Sequence, residues 1–383
     1  MRFRHRDGTL VHLAYCTNVH AAEDLDGVVA QLSRFGEPVR HACGAGRLGL
    51  GLWLARPVAA GLVADPAALR RLRTELAARG LEVVTLNGFP YRGFHEPTVK
   101  YTVYHPNWGT ALRARYTMDL ARLLAALLPE DAARGSVSTL PLAWRSDWPA
   151  AARRGAHERL DRLAAGLAEL AGETGKRVRV GFEPEPGCVI ETTAQAVEHL
   201  ARHDRDWLGV CLDTCHLAVA FERPADALAR LAAAGLDVVK VQASCALQAD
   251  APSDPDTRRA LESFAEDRFL HQCSEGGLRR TDDLGAALAG ELSGRAPWRV
   301  HFHLPLHTDP APPLRSTRPQ LSATLAALFG GAHARTDHVE VETYTWRVLP
   351  DSPTDTGLIA GLAAELAWTR RELIALGLRE ETA

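Results

Sequence analysis

Apolar, β-branched runs alternate with Ala/Leu/Arg-rich stretches of helical period along nearly the whole chain, and this rhythm restricts the fold more than any other feature. The apolar runs are 11–17 (VHLAYCT), 48–54 (LGLGLWL), 82–87 (EVVTLN), 136–140 (SVSTL), 178–183, 208–213, 238–244 (VVKVQAS), 299–304 (RVHFHL) and 338–345 (HVEVETYT). Helical stretches lie near 23–35, 66–79, 110–128, 152–174, 193–203, 224–234, 317–329 and 357–377, with N-cap signals at Asp65-Pro66 and Thr192-Thr193. Strands that alternate with helices pair in parallel, because each helix carries the chain back across the sheet. The nine runs exceed by one the eight strands of a (β/α)8 TIM barrel, so one is an accessory strand. The weakest barrel candidates are 48–54 and 299–304, and the sequence leaves the choice between them open.

Side-chain parity argues for a closed barrel. Lys240, Gln242 and Ser244 share one face of their run, opposite Val239, Val241 and Ala243. Arg299, His301 and His303 oppose Val300, Phe302 and Leu304, and His338, Glu340, Glu342 and Tyr344 oppose Val339 and Val341. A doubly wound sheet covers both faces with helices and has little room for such polar rows, whereas a barrel turns them into its lumen. An antiparallel sheet with one wet face is the alternative, and the helical connections count against it. Two long stretches, 88–109 and 245–297, are rich in Gly, Pro, His and aromatic residues and are expected as loops over the C-terminal mouth. The Pro-rich stretch 305–319 is the best boundary candidate, but a strand and a helix follow it, so residues 1–383 are expected to form a single domain.

A formal charge of −3 offers no basic stripe, which counts against nucleic acid as a partner. No apolar run approaches the roughly 18 residues of a membrane span, and the basic N-terminus lacks the apolar core of a signal peptide. Seven cysteines without a CxxC pair fit a reducing cytoplasm, with Cys16, Cys211, Cys215 and Cys245 as small buried fillers.

The chemistry concentrates where apolar runs stop in charge. VRVGFEPEPG (178–187) ends in Glu183 and Glu185, and LGVCLDTCHLA (208–218) ends in Asp213 and His216. Catalytic residues of TIM barrels occupy such strand ends, where several side chains converge. Carboxylates attract hard divalent cations, and imidazole adds affinity for Zn, Mn, Co or Fe. The candidate metal ligands are therefore Glu183, Asp213, His216, His303 (or His301) and Glu342. In Glu-Pro-Glu-Pro-Gly the prolines stiffen the turn, so one carboxylate can hold metal while Glu185 acts as base or binds substrate. Asn87 is a candidate ligand or substrate hydrogen-bond partner, or a loop cap. Lys240 is either a pocket amine or, as the plainer reading, the partner of Glu183 or Glu340. Gln242, His271 and His301 complete the substrate-facing candidates, with His20, His95 and His105 dependent on their loops folding inward. There is no GxGxxG, Walker A, HExxH or GxSxG motif, and the adjacent Cys215-His216 pair is poorly placed for a hydrolase.

A strand ending in Glu, a strand ending in LDTCH and a late strand ending in Glu together resemble the xylose isomerase-like TIM-barrel superfamily, which includes sugar isomerases, epimerases and the zinc-dependent endonuclease IV type. That resemblance implies a divalent metal (Mn, Zn or Fe) on Glu183, Asp213 and Glu342, with His216 as a metal or substrate ligand and Glu183 and Glu342 as proton carriers. The chain departs from the pattern on its seventh strand, where the family often has a His ligand and this sequence has Gln242 or Lys240; His301 or His303 would substitute. A narrower resemblance spans almost the whole chain: LAYCTNVH, TLNGFPY, KYTVYHPNW, FEPEPGCVIET, DTCHLAVAFE, FLHQ, HFHLPLH and HVEVETYTW resemble the EboE "metabolite traffic" family of the Ebo gene cluster. It implies a small-molecule metabolite as ligand and other Ebo-cluster proteins as partners. Three readings follow: a metal-dependent isomerase, epimerase or lyase, a non-catalytic metabolite carrier on the same barrel, and a metal-dependent phosphoesterase.

Overall fold

The computed structural model describes residues 1–132 and 134–381. Eight parallel strands form the barrel: β1 (Leu10–Cys16), β2 (Leu48–Trp53), β3 (Leu81–Asn87), β4 (Arg134–Thr139), β5 (Arg177–Phe182), β6 (Leu208–Asp213), β7 (Val238–Ala243) and β8 (His338–Val341). Consecutive strands are neighbours, and β8 closes the ring against β1, with His338 opposite His12 and Val341 opposite Tyr15. Helices cover the outside, where the apolar parity faces of the strands (Val241, Ala243, Val339, Val341) join one continuous core. Their starts follow the sequence signals: the Asp65 side chain accepts from the Ala67 amide at 2.8 Å, and Thr192 with Gln195 forms a capping box. Such caps satisfy amides that the first helical turn leaves orphaned, each typically worth about 1 kcal/mol.

The run 48–54 is thus a barrel strand and 299–304 is the supernumerary one. Only Trp298–Val300 of the latter is strand; it pairs antiparallel with Leu247–Ala249 and Cys273–Glu275 in a second sheet outside the ring, completed by Arg279–Thr281 and Arg315–Ser316. The stretch 245–297, expected as an open loop, therefore supplies most of that sheet and a helix, Pro255–Glu262. The other long stretch, 88–109, crosses the barrel mouth and is tied to it: the amides of Val99 and Lys100 donate to the Arg268 carbonyl at 2.7 and 2.9 Å.

The lumen is polar from floor to mouth. Near the floor His338 Nδ1 contacts Ser136 Oγ at 2.7 Å, and Ser136 donates to Thr85 Oγ1 at 2.8 Å. Above them Lys240 and Glu340, both fully buried, form an ion pair. A Cβ on Gly51 would lie 1.5 Å from Glu340 Oε1, so β2 needs glycine there to admit this carboxylate.

Candidate metal centre at the barrel mouth

Three strand ends deliver three carboxylates to one point. Asp213 ends β6 and caps the next helical turn (Thr214–Val219): its Oδ1 accepts from the His216 amide at 2.9 Å and from Ser244 Oγ at 2.8 Å. Glu342 follows β8, and its Oε1 accepts from Asn18 Nδ2 at 2.7 Å and Asn87 Nδ2 at 2.9 Å. Glu183 follows β5 and opens the Glu-Pro-Glu-Pro-Gly turn. Gly187 closes that turn at φ +89°, a left-handed backbone against which the Trp144 ring lies too close for any side chain. The turn sets Glu185 beside the others, where its Oε1 accepts from the Tyr104 hydroxyl at 2.8 Å and from Gln272 Nε2 at 3.4 Å.

Each of three imidazoles is oriented through Nδ1. His303 donates to the Glu342 carbonyl at 2.8 Å and His216 to the Pro184 carbonyl at 3.0 Å. His301 Nδ1 donates to Gln272 Oε1 at 2.6 Å. The amide orientation of Gln272 is set by its other partners: its nitrogen faces the Pro186 carbonyl at 3.1 Å, which can only accept. All three rings therefore turn an Nε2 lone pair inward, the tautomer that metal-bound histidines adopt when a carbonyl holds the other nitrogen.

The decisive feature is what these contacts leave over. Glu183 Oε2, Asp213 Oδ2, Glu342 Oε2 and His303 Nε2 are buried acceptors without a hydrogen-bond partner. Ligand atoms of Glu183, Asp213 and Glu342 lie within 4.8 Å of one another, as do those of Asp213, His216 and His303. Burying an acceptor without a partner costs about 1–3 kcal/mol, more for a charged group. The two triads share Asp213, and carboxylates and imidazoles grouped in this way fit a divalent cation of the Mn, Fe, Co or Zn type.

The electrostatics agree with that fit. Burial, together with the Glu342 and Asp213 charges, pushes the Glu183 carboxyl well above its ordinary range. Glu342 is raised in the same way, by burial and then by Asp213 and Glu340. Burial lifts Glu185 to about 8 despite the hydrogen bonds from Tyr104 and Gln272. The histidines move the other way: burial pushes His216 down to about 4, His303 down, and His301 well down. Acids that resist ionisation and imidazoles that resist protonation are what a dry pocket produces before a cation supplies the missing positive charge.

Other sequence candidates take supporting places. Asn87 lines the cavity but spends its amide on Glu342 and its Oδ1 on the Phe89 amide at 3.0 Å. Lys240 and Gln242 lie in the lumen rather than in the cavity lining, with Lys240 paired to Glu340 and the Gln242 carbonyl accepting from Cys211 Sγ at 2.9 Å. His271 stands behind His301, its Nδ1 donating to the His301 carbonyl at 2.8 Å and its Nε2 facing Glu266 at 2.8 Å. His20 and His95 line a separate cleft with Arg268, and His105 faces Asp147 at 3.2 Å. Sequence reasoning missed Asn18, Tyr104 and Gln272, single polar residues with no motif spacing; the aromatic wall of Phe89, Phe94, Phe269 and Tyr344 was foreshadowed only by the composition of 88–109. The one Lys or Arg among the described lining residues is Lys100, held by Asp283 at 2.6 Å.

Comparison with known proteins agrees with the architecture. A xylose isomerase-like TIM barrel protein from Mycobacterium smegmatis, solved in complex with magnesium, superposes with a TM-score of 0.55 at 13% identity, covering 96% of this chain and 97% of that one. D-Psicose 3-epimerase from Clostridium cellulolyticum H10, solved with D-tagatose, superposes with a TM-score of 0.52 at 12% identity, covering 94% of this chain and 99% of the other. At these identities the likeness establishes the fold alone. No curated protein matches the sequence. The model of the family described as xylose isomerase-like TIM barrel matches residues 45–271, more than half of the chain, and the protein belongs to that family.

Proposed function

We propose that the protein is a divalent-metal-dependent isomerase or epimerase acting on a small oxygenated metabolite, with Glu183, Asp213, Glu342 and His303 as the metal ligands. The observation that carries this reading is that each of the four has a buried, unpartnered acceptor and that they belong to two ligand triads, Glu183–Asp213–Glu342 and Asp213–His216–His303, joined at Asp213. A divalent cation bound there supplies Lewis acidity toward vicinal oxygens of the substrate. Asn18 and Asn87 hold the Glu342 carboxylate in place, and Ser244 with the His216 amide holds Asp213. Glu183, at the end of β5 beside Asp213 and Glu342, takes the proton from the carbon beside a carbonyl. Glu342, with a carboxylate oxygen within 4.8 Å of one of Glu183, returns a proton to the same or the neighbouring carbon. Glu185, His216 and His301 face the substrate oxygens.

The block resemblance to the EboE family supports a secondary-metabolite precursor as the ligand, and the reading takes the chain as one cytoplasmic domain. A cavity whose one Lys or Arg is already paired favours an unphosphorylated substrate over a phosphoester. A second reading, a metabolite carrier without turnover, is favoured by Gln242, which sits where the family often has a histidine ligand and faces Cys211 instead of the cavity.

Metal analysis of protein purified without chelator, followed by solvent-deuterium exchange with a ketohexose panel that starts from D-tagatose, tests both. Stoichiometric Mn, Fe, Co or Zn that is lost in Asp213→Ala, with deuterium entering a substrate C–H bond, is expected. Metal with no exchange into any sugar would favour the carrier; metal-free protein would sink the metal-dependent reading.

A further inference from the structure

The cavity at the mouth leaves acceptors over, whereas a neighbouring cleft leaves donors. Two chain segments divide them: Phe94 and Phe269 line the cavity, their neighbours His95 and Arg268 line the cleft, and no residue lines both. In the cleft lining His20 Nδ1, Gln31 Nε2, His95 Nε2 and Arg268 Nε are buried without a hydrogen-bond partner. Arg268 Nε can only donate. His20, 3% exposed, is fixed by its stack on Phe35, with centroids 4.2 Å apart, and by the Tyr15 hydroxyl 3.2 Å from its Nε2. That hydroxyl makes no other hydrogen bond among the described residues, so it donates to Nε2 and the His20 proton sits on Nδ1, a second free donor. Charge runs the same way. Arg34, Arg268 and Arg347 line the cleft with no Asp or Glu beside them in the lining. Arg34 and Arg347 share one carboxylate at its edge, Asp355. Glu266, two residues before Arg268, spends its oxygens on the Arg268 and Phe269 amides and on His271.

We propose that this cleft binds a phosphate-class oxyanion, either free phosphate or the phosphate of a phosphomonoester. Guanidinium groups pair with such oxyanions through charge-assisted hydrogen bonds. The donors and charges come from four separate places: His20 after β1, Gln31 at the end of the helix Leu25–Gln31, Arg268 beside the cavity wall, and Arg347 in the turn Tyr344–Val348. A tetrahedral anion offers oxygens in that many directions, and a planar carboxylate does not. Three guanidiniums set against Asp355 leave an excess of two positive charges, which suits a dianion. Because the cleft shares no lining residue with the cavity, its anion is an effector and not part of the substrate held at the mouth. A bound anion joins the segments behind Phe94, Phe269 and Tyr344, the aromatic wall of the cavity. The inference stands whether or not the centre at the mouth binds metal.

Calorimetric titration of the full chain with inorganic phosphate, at constant ionic strength, tests it in the wild type, Arg268→Met and Asp213→Asn. Saturable binding of one phosphate per chain is expected in the wild type. Arg268→Met should weaken it at least about tenfold, the loss of one charge-assisted hydrogen bond, and Asp213→Asn should leave it unchanged. No saturable binding in the wild type overturns the site. So does wild-type affinity in Arg268→Met, and binding lost in Asp213→Asn but kept in Arg268→Met puts the phosphate on the centre at the mouth instead. Acetate that displaces phosphate at equal concentration overturns the phosphate class. Glycerol 3-phosphate separates the two sources: binding at least as tight as that of phosphate supports a phosphomonoester, and exclusion of the ester supports free phosphate. Should Arg268→Met fail to fold, Arg268→Lys replaces it, with binding weakened several-fold as the Nε donor is lost; wild-type affinity there counts against the site.

Discussion

The floor and the mouth of the barrel are both buried and both polar, yet they are opposites. On the floor polar groups are paired across the lumen: Lys240 meets Glu340, His338 meets Ser136, and Ser136 meets Thr85, while Glu340 Oε1 and Gln242 Nε2 keep no hydrogen-bond partner. At the mouth Asp213, Glu342 and His303 each have one atom fixed by a hydrogen bond and another left without a partner, Glu183 Oε2 is unpartnered too, and the Nε2 atoms of His216 and His301 oppose each other. Buried polar groups that are satisfied belong to the architecture of a core. What sets the mouth apart is that its unpartnered atoms belong to carboxylates and imidazoles clustered within 4.8 Å of one another, whereas the described floor residues form no such cluster.

The contrast can be broken at either end. The largest effect belongs to the floor: Lys240→Met strands the Glu340 charge in a sealed lumen and should destabilise the protein by about 3–5 kcal/mol, read as a fall in urea midpoint. A wild-type midpoint would mean that Glu340 is not held as an ion. At the mouth, Asp213→Asn keeps an Oδ1 acceptor for the His216 amide and Ser244 but removes a charge crowded by Glu183 and Glu342, so Co²⁺ affinity should fall at least about a hundredfold while the apo-protein stays as stable as the wild type or more so. Loss of apo stability instead would place Asp213 with the floor. Asn87→Ala removes one of two amides that fix Glu342, so metal affinity should drop about tenfold with little change in fold, and calorimetric titration would show it.

The smallest effect sharpens the comparison with pH. Glu365 is buried away from the centre, accepting from Leu306 N at 3.1 Å, Trp346 Nε1 at 3.0 Å and the Thr343 hydroxyl, and burial raises its carboxyl from 4.5 to about 7. Between those values the native state binds a proton that the unfolded chain has released, so stability should fall as pH rises from 4.5 to 7. Glu365→Gln should flatten that slope in denaturant titrations, and an unchanged slope would assign it to other groups.

Much of this was legible in the sequence. Buried parallel strands are apolar on nearly every residue, so runs such as 178–183 and 208–213 stand out, and acids at their ends mark where the ring opens. The alternation in 299–304 was real: His301 and His303 do share a polar direction, and it leads to the cavity. What alternation could not tell is the partner of that strand, because pairing is decided by distant segments such as Leu247–Ala249 and Cys273–Glu275. Those strands have three residues each, too few for any period to show, which is why 245–297 read as a loop. Asn18 stayed invisible for a similar reason: one amide after a strand has no spacing to betray it.

The origin of His301 and His303 has a consequence for how the protein is built. Barrel strand β7 brings no ligand into the cavity, and the two imidazoles come instead from chain leaving the accessory sheet. The centre is thus assembled from a ring and from a separately woven flap, and neither contains it alone. Residues such as Glu275, which gathers the Arg295 amide at 2.8 Å and the Ser293 hydroxyl at 2.9 Å within the flap, become part of the centre's tolerance to error. On the metal-binding reading proposed above, ion affinity would gauge whether the flap has seated, and damage far from any ligand would register as a change in chelation.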